Sequence, residues 1–278
     1  MFSADTHIHT VYSFDHDKRC DCSPMAICQA AYEKGLNEIA LTDHYCVNAI
    51  STGALPPVDL EKRQAEILEA KDAFSGKLTV LYGIELGQPA QNAPLAEEVL
   101  RKHPFEFVIG SLHNEESVPD FYYLDYRAMS HYELFTLWEH YLKETIAHLT
   151  WGIGRFQTLG HLNYQERYLH AYLKDGPIRR LDFADLYHEI FRIMIDHEIA
   201  LELNTSGFRK GMGEPVPRLE FVRYYRDLGG KLFTIGSDAH SPALIGDGVK
   251  ETVDALRSIG VDRITSFASG SPEPVFLD

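Results

Sequence analysis

Six of the fourteen histidines of this chain lie in short motifs at the ends of apolar runs, and several of these motifs also carry a carboxylate. Neutral imidazole combined with carboxylate suits zinc, manganese and iron. One such motif alone is more often a turn or a packed histidine, but a full set in chain order predicts a metal centre. The motifs are Asp5-Thr6-His7-Ile8-His9, Thr42-Asp43-His44, Gly83-Ile84-Glu85, Gly110-Ser111-Leu112-His113, Gly160-His161 and Ser237-Asp238-Ala239-His240.

The His-X-His pair of the first motif has the spacing of two ligands to one ion. In a strand, His7 and His9 point to the same side, about 7 Å apart along the backbone. A carboxylate such as Glu85 or Asp238 can bridge two ions, which favours a cluster over a single site. Ions held about 3.5–4 Å apart activate a bridging hydroxide and clamp the oxygens of a displacement at phosphorus.

The apolar runs alternate with helical patterns, and repeated β-α units imply parallel strands joined by crossover helices. We expect seven strands, at 2–8, 38–43, 78–85, 105–112, 156–162, 199–204 and 231–236. Helices are expected after Ser23-Pro24, after the caps Asp59 and Ser130, from Asp182 onward, and over 217–228 and 247–259.

Seven such strands could form a doubly wound sheet or a closed barrel. Polar residues at the carboxyl ends of the strands, converging on one centre, favour the barrel because its strands surround a single axis. Neither a Gly-X-Gly-X-X-Gly motif nor a P-loop is present, so a nucleotide-binding fold has little support. We expect residues 1–278 to form one domain, with long loops at 51–57 and 86–94 over one face.

The net charge of −15 argues against partners that bind through basic patches, namely nucleic acid and anionic membranes. It leaves a phosphorylated small molecule open, since bound divalent ions can reverse the local field. The spacing of Cys20, Cys22, Cys28 and Cys46 fits no zinc finger, and we expect reduced, non-ligand thiols in a cytoplasmic protein. We expect no signal peptide at the N-terminus and no membrane span.

The motifs resemble those of the polymerase and histidinol phosphatase (PHP) family of metal hydrolases, from Asp5-Thr6-His7-Ile8-His9-Thr10 to Gly236-Ser237-Asp238-Ala239-His240. Two further stretches are similar to the monofunctional histidinol-phosphatase branch: Gly160-His161-Leu162 followed by Arg167-Tyr168, and Glu202-Leu203-Asn204-Thr205-Ser206-Gly207 followed by Arg209-Lys210-Gly211. The resemblance implies a distorted seven-stranded, TIM-like β/α barrel of PHP type. It also implies two to three divalent ions (zinc, manganese or iron) at the carboxyl ends of the strands.

The resemblance assigns the ligands to three metal positions. The first would take His7, His9, Glu85 and Asp238; the second Glu85 as a bridge with His113 and His161; and the third Asp15, His44 and His240. Some family members have histidine in place of Asp15, and the neighbouring His16 could compete for that position. Asp5 and Asp43 match motif positions that would orient the ligands from outside the coordination sphere.

Charge favours a phosphate substrate, because three carboxylates and three divalent ions together have a net charge of about +3 before hydroxide binds. The expected mechanism is direct attack of a metal-bridging hydroxide on phosphorus, with no phosphoenzyme. Asp238, His240 or a metal-bound water would protonate the leaving alkoxide. Arg167 and Arg209 follow strand-end loops and are candidates for two-pronged contacts to the phosphate.

The favoured function is hydrolysis of L-histidinol phosphate to L-histidinol and phosphate, a step of histidine biosynthesis. One alternative is the same chemistry on another phosphomonoester or on a phosphodiester. A second is an amidohydrolase, which also begins with His-X-His but often uses a carbamylated lysine where this chain has Glu85. A third is a binding module without activity, against which the apparently complete ligand set argues.

Overall fold

The computed structural model describes residues 2–48, 58–173 and 179–277. Within these ranges the strands are β1 (Ala4–Ile8), β2 (Glu38–Leu41), β3 (His44–Cys46), β4 (Thr79–Gly87), β5 (Phe107–Ser111), β6 (Thr158–Leu159), β7 (Ala200–Asn204), β8 (Phe233–Gly236), β9 (Arg263–Ser266) and β10 (Glu273–Phe276). The helices are α1 (Pro24–Glu33), α2 (Leu60–Ala73), α3 (Ala93–Lys102), α4 (His131–Gly152), α5 (Glu166–Leu169), α6 (Ala184–Asp196), α7 (Ser206–Arg209), α8 (Leu219–Asp227) and α9 (Val249–Ser258). Among the described helices, none is long and apolar enough to cross a membrane.

Seven parallel strands form a nearly closed barrel in the order β1-β2-β4-β5-β6-β7-β8. The two ends of this order meet just beyond β8, where the N–H of His9 donates to the carbonyl of Ala239 at 2.8 Å. There the N–H of Asp238 also donates to the carbonyl of His7 at 2.8 Å. The short β3 pairs with the end of β4, outside this order. The predicted seven-stranded β/α barrel is confirmed.

The barrel strands are buried nearly throughout because crossover helices cover the sheet. Three of the predicted helix caps are confirmed: Ser23 accepts from the N–H of Ala26, Asp59 from that of Lys62, and Ser130 from that of Glu133 in a capping box. Each cap satisfies a backbone donor that has no partner inside its helix. The α1 and α2 helices contact each other on one side of the barrel, as do α4 and α6 on another.

One local prediction is wrong, and another lies outside the described residues. The helix predicted from Asp182 is confirmed, because Asp182 lies in the 3-10 turn Arg180–Phe183 that leads directly into α6, and its carboxylate accepts from the N–H of Arg179. The stretch 86–94 is not a long loop: β4 continues to Gly87, a 3-10 turn follows, and α3 begins at Ala93. The predicted loop at 51–57 is not among the described residues. The C-terminal hairpin of β9 and β10 was not predicted.

Candidate metal centre

The nine predicted metal ligands lie together at the carboxyl ends of the barrel strands. They come from β1 and the residues that follow it, from β3, from β4, and from the segments after β5, β6 and β8. In chain order they are His7, His9, Asp15, His44, Glu85, His113, His161, Asp238 and His240. The carboxyl end of β7 supplies no predicted ligand but contributes a supporting carboxylate, described below.

Glu85 is the centre of this cluster, and its two oxygens face different sets of imidazoles. Oε1 lies 2.9 Å from Nε2 of His161, 3.0 Å from Nε2 of His113 and 3.5 Å from Nε2 of His7. Oε2 contacts Nδ1 of His44. One carboxylate therefore has a separate oxygen for each side of the cluster, which is the arrangement that a bridging ligand needs.

Asp238 approaches the cluster from the opposite edge of the barrel. Its Oδ1 lies 3.3 Å from Nε2 of His9 and 4.0 Å from Nε2 of His7. Its backbone is left-handed, with φ of +55°, a conformation that aspartate tolerates better than most residues. This turn beyond β8 directs the Asp238 side chain towards β1.

Asp15 and His240 form the outer part of the cluster together with His44. Oδ2 of Asp15 lies 2.9 Å from Nε2 of His240 and 3.5 Å from Nε2 of His44. The neighbouring His16 is held elsewhere, with its Nδ1 2.6 Å from the carbonyl of Ser13. The side chain of Asp15 is 38% exposed, whereas those of His7, His9 and Glu85 are fully buried. A ligand can therefore reach the cluster from the Asp15 side.

Several imidazoles are held through one ring nitrogen, which leaves the other nitrogen for the centre. Nδ1 of His7 lies 2.7 Å from Oε1 of Glu202, and Nδ1 of His9 lies 2.9 Å from Oγ of Ser13. Oε2 of Glu202 also accepts from the backbone N–H of His161 at 2.6 Å. Outer partners of this kind set the tautomer and the ring direction of metal-binding histidines.

Asp5 and Asp43 hold the segments that carry the ligands. Asp5 accepts backbone N–H groups of Ser237 and Gly246, both at 2.8 Å, and so ties the end of β8 to β1. Asp43 accepts from the hydroxyl of Ser13 at 3.0 Å, the same Ser13 that contacts His9. Behind Asp43, the buried Arg63 of α2 donates from Nε to Oδ2 at 2.7 Å.

Charge within the cluster holds Glu85 and His9 in the forms that bind metals, whereas against the effect of burial the neighbouring carboxylates raise the pKa of His7, His44, His113 and His240. Burial opposes ionisation of Glu85, but the imidazoles of His44, His113 and His7 outweigh it and hold its pKa well below the usual range. Burial and the neighbouring His240 and His44 lower the pKa of His9 to about 3, so its imidazole is neutral. Ionised carboxylate and neutral imidazole are the states that coordinate a metal ion.

The donor set fits divalent metal ions. Nε2 of His7, Nε2 of His9 and Oε2 of Glu85 are buried and make no hydrogen bond within the described ranges. Two nitrogens at tetrahedral positions about 2.1 Å from zinc lie about 3.4 Å apart, close to the 3.3 Å between Nε2 of His113 and Nε2 of His161. Ligand atoms lie within 4.8 Å of one another in the groups His7-Glu85-His161, His7-His9-Asp238, His9-His44-His240 and His44-Cys46-His113.

The two predicted substrate arginines both lie beside Asp238, with different contacts. Arg167, in α5, is buried and donates from Nη1 to Oδ2 of Asp238 at 2.5 Å and to Oγ of Ser206 at 2.7 Å. Arg209, in α7, donates from Nη2 to the carbonyl of Ser237 at 2.6 Å and from Nη1 to Asp247 at 3.2 Å. Arg167 thus contacts a predicted ligand directly, whereas Arg209 holds the backbone beside it.

A cavity of about 550 Å³ opens onto the outer side of the cluster. Its wall contains several predicted ligands and both arginines. Three tyrosines and one further carboxylate also line it, namely Tyr122, Tyr164, Tyr168 and Asp120. The aromatic stretch that begins at Phe121 is divided between core and cavity, because Phe121 is fully buried whereas Tyr122 lines the cavity.

Three supporting residues were not singled out from the sequence. Glu202 appeared only within a matching stretch, Arg63 looked like an ordinary helical residue, and Asp120 looked like a loop residue. Glu202 could have been found from the sequence, because it lies in an apolar run that predicts a buried strand. A buried carboxylate needs a partner, and the neighbouring strands carry the predicted ligands. Nothing near Arg63 in the chain indicated its partner, which lies twenty residues away.

A parallel β/α barrel with imidazoles and carboxylates gathered at the carboxyl ends of its strands defines a metal-dependent hydrolase. Residues 5–206 match the PHP domain. The chain belongs to the PHP domain family. It is 30% identical to a protein of Clostridium acetobutylicum named "Probable histidinol-phosphatase", over 87% of this chain and 88% of that one. It is 25% identical to the "Histidinol-phosphatase" of Lactococcus lactis, over 86% and 85%.

The fold has a solved counterpart in a crystal structure of histidinol phosphate phosphatase from Lactococcus lactis, complexed with zinc, L-histidinol and phosphate. The two structures superpose with a TM-score of 0.77 and 21% sequence identity, over 98% of each chain. A second structure, from Listeria monocytogenes, superposes with a TM-score of 0.70 and 18% identity over 89% of this chain. At these identities the likeness establishes the fold, and the PHP-type barrel is confirmed.

Proposed function

We propose that the whole chain, residues 1–278, is a cytoplasmic, metal-dependent phosphomonoesterase that hydrolyses L-histidinol phosphate to L-histidinol and phosphate. The proposal rests on a bridging-type carboxylate, Glu85, next to a cavity that also contains two arginines. The curated relatives of the same length are named histidinol-phosphatases, which supplies the expected substrate.

We assign His7, His9, Glu85 and Asp238 to one metal position, and His113 and His161, with Glu85 as bridge, to a second. Asp15, His44 and His240 would hold a third ion. When bound, two to three divalent ions (zinc, manganese or iron) activate water and neutralise charge on the phosphoryl group. The exposure of the Asp15 side chain supports a third position on the side from which substrate would enter.

The arginines have separate parts in this proposal. Arg167 binds the phosphoryl oxygens, and its fork can keep one N–H on Asp238 while another contacts the substrate. Arg209 reaches the cavity from the next strand of the barrel and also holds the carbonyl of Ser237 in place. Both guanidinium groups are positive, so they attract the phosphate dianion and stabilise the charge that redistributes on it during P–O cleavage.

The leaving alkoxide needs a proton, and Asp238 and His240 are the candidates in this chain. Both line the cavity. The backbone carbonyl of Asp238 lies 3.0 Å from Nδ1 of His240, which fixes the ring so that Nε2 faces Asp15. We propose that one of these two side chains takes a proton from the attacking water and passes it to the oxygen that leaves phosphorus.

The deciding experiment is steady-state kinetics on L-histidinol phosphate and a panel of other phosphomonoesters, with one phosphodiester and one amide included. We expect the highest kcat/KM on L-histidinol phosphate. A higher kcat/KM on another phosphomonoester would assign the chain a different substrate, and a preference for the diester or the amide would overturn phosphomonoester hydrolysis itself.

A further inference from the structure

The cavity contains a carboxylate that the proposed hydrolysis does not use. Asp120 is the one acidic residue in its described wall that is not a predicted ligand, since the others are Asp15 and Asp238. It follows β5 by nine residues and begins a 3-10 turn, Phe121–Tyr123. A carboxylate in a site for an anionic group repels that group, unless it is there to bind a positive charge elsewhere on the same substrate.

The ring of Tyr164 lies between Asp120 and the predicted ligands. Its centroid is 4.8 Å from that of His161 and 5.1 Å from that of His113. The guanidinium carbon of Arg167 lies 4.2 Å from the same ring centroid. The hydroxyl of Tyr164 donates to Oδ1 of Asp120 at 3.3 Å. Asp120 is therefore about one tyrosine ring away from the groups that would hold the phosphate.

The hydrogen bonds of Asp120 leave one oxygen available. Oδ1 accepts from the N–H of Tyr122 at 2.8 Å and from the hydroxyl of Tyr164, whereas Oδ2 has no hydrogen bond within the described part of the chain. The ring of Tyr122 stands 5.5 Å from that of Tyr168 on the same wall. A carboxylate oxygen beside exposed aromatic surface is a suitable environment for an alkylammonium group.

We infer that Asp120 is a specificity residue that binds the ammonium group of the substrate. The cavity then has a positively charged part, with arginines near the metal positions, and a negatively charged carboxylate one ring away. This arrangement suits a phosphomonoester of an amino alcohol. The ammonium group is the better partner, because an alkylamine is fully protonated at neutral pH whereas an imidazole near its ordinary pKa is largely neutral. This inference rests on the proposed phosphatase function and adds which end of the substrate is recognised.

Asp125, in the next turn, is a matched control that tests whether Asp120 has a purely structural role. Asp125 likewise accepts an N–H, that of Arg127, at the start of the 3-10 turn Tyr126–Ala128. Its side chain is 62% exposed, and it does not line the cavity. Asp120→Asn and Asp125→Asn each keep a cap oxygen and remove one charge, so they differ in whether the charge faces the cavity.

The test compares two substrates of nearly equal size, 2-aminoethyl phosphate and 2-hydroxyethyl phosphate, together with L-histidinol phosphate. We expect Asp120→Asn to lower kcat/KM on both amines by about tenfold or more, mainly through KM, which corresponds to loss of one charge-assisted hydrogen bond. The fall on the hydroxyl substrate should be much smaller, so the amine-to-hydroxyl ratio drops. Asp125→Asn should keep the wild-type ratio.

Equal losses of Asp120→Asn on all three substrates would show that Asp120 only supports the wall, and wild-type values would show that it has no part in binding. Inhibition by L-histidinol separates this inference from the substrate assignment, because L-histidinol carries the amine without the phosphate. If the wild-type protein prefers another phosphomonoester, weaker L-histidinol inhibition of that reaction in Asp120→Asn still supports the ammonium site. Unchanged inhibition overturns it.

Discussion

At the scale of single residues, Glu85 and His240 occupy very different places in the same cluster. Glu85 contacts imidazoles through both oxygens and is fully buried, whereas His240 lies on the open side with a 23% exposed side chain. We expect Glu85→Gln to cost more kcat and more bound metal than His240→Ala, because it removes a charge that two metal positions share. Elemental analysis and kcat on L-histidinol phosphate measure both. Equal, mild losses in the two variants would show that Glu85 is not the bridge.

Arg167 tests the phosphate side of the proposal. A charge-assisted hydrogen bond is worth roughly 1.5–3 kcal/mol, so Arg167→Ala should lower kcat/KM by about 10- to 200-fold. Arg167→Lys should rescue only part of this loss, because lysine lacks the planar fork that serves Asp238 and phosphate together. Metal content should fall less than in Glu85→Gln, because Asp238 loses a donor but keeps its charge.

Arg209→Ala should lower kcat/KM over the same range, with the added effect of freeing the carbonyl of Ser237. A diester should depend on both arginines less than a monoester does, because it has one charged oxygen fewer. Wild-type kcat/KM in both alanine variants would show that the arginines do not bind the substrate and would contradict this part of the proposal.

At the scale of elements, α2 is joined to the barrel by one buried ion pair. Arg63 donates to Asp43 and also to the backbone carbonyls of Leu41 and Gly83, at 2.8 and 2.7 Å. Arg63→Ala leaves a buried carboxylate and two carbonyls without this donor, and we expect a loss of roughly 3–5 kcal/mol of unfolding free energy. Urea denaturation measures this loss.

Lys62→Ala is the matched control on the same helix. Lys62 is 65% exposed and faces Glu66 at 3.8 Å, so its replacement should change the unfolding free energy by about 0.5 kcal/mol or less. Because Asp43 also binds the Ser13 that contacts His9, Arg63→Ala should lower metal affinity as well. Similar stability for the two variants would mean that α2 is held by its apolar face alone.

At the scale of the whole molecule, we expect the cluster to couple metal binding to stability. Imidazoles and carboxylates from six strand ends lie within one small volume, and ions that bind this arrangement but not the unfolded chain stabilise the fold. Purified protein should carry two to three transition-metal ions. Removing them with a chelator should lower Tm and abolish phosphatase activity, and added zinc or manganese should restore both. Fewer than one ion per chain, with activity insensitive to chelator, would contradict the metal centre.

Much of the site was predictable because the strands that carry it can be recognised from short stretches of sequence. Apolar runs that end in ligand-type residues identify the strands, and parallel strands with crossover helices place those ends on one face of the barrel. His7, Glu85, His161 and Asp238 are found together for that reason. The prediction at 86–94 is wrong because pairing with β3 extends β4 to Gly87.

By itself the sequence predicted the barrel and a common face for the candidate ligands, since both depend on short-range periodicity and on the direction of parallel strands. Only the tertiary structure decided which atoms meet. It directs the two oxygens of Glu85 to different imidazoles, and it places Asp15 rather than His16 beside His240. It also brings Asp120 to the cavity wall. Such contacts join residues far apart in the chain, and their geometry follows from how the whole barrel packs rather than from any local pattern.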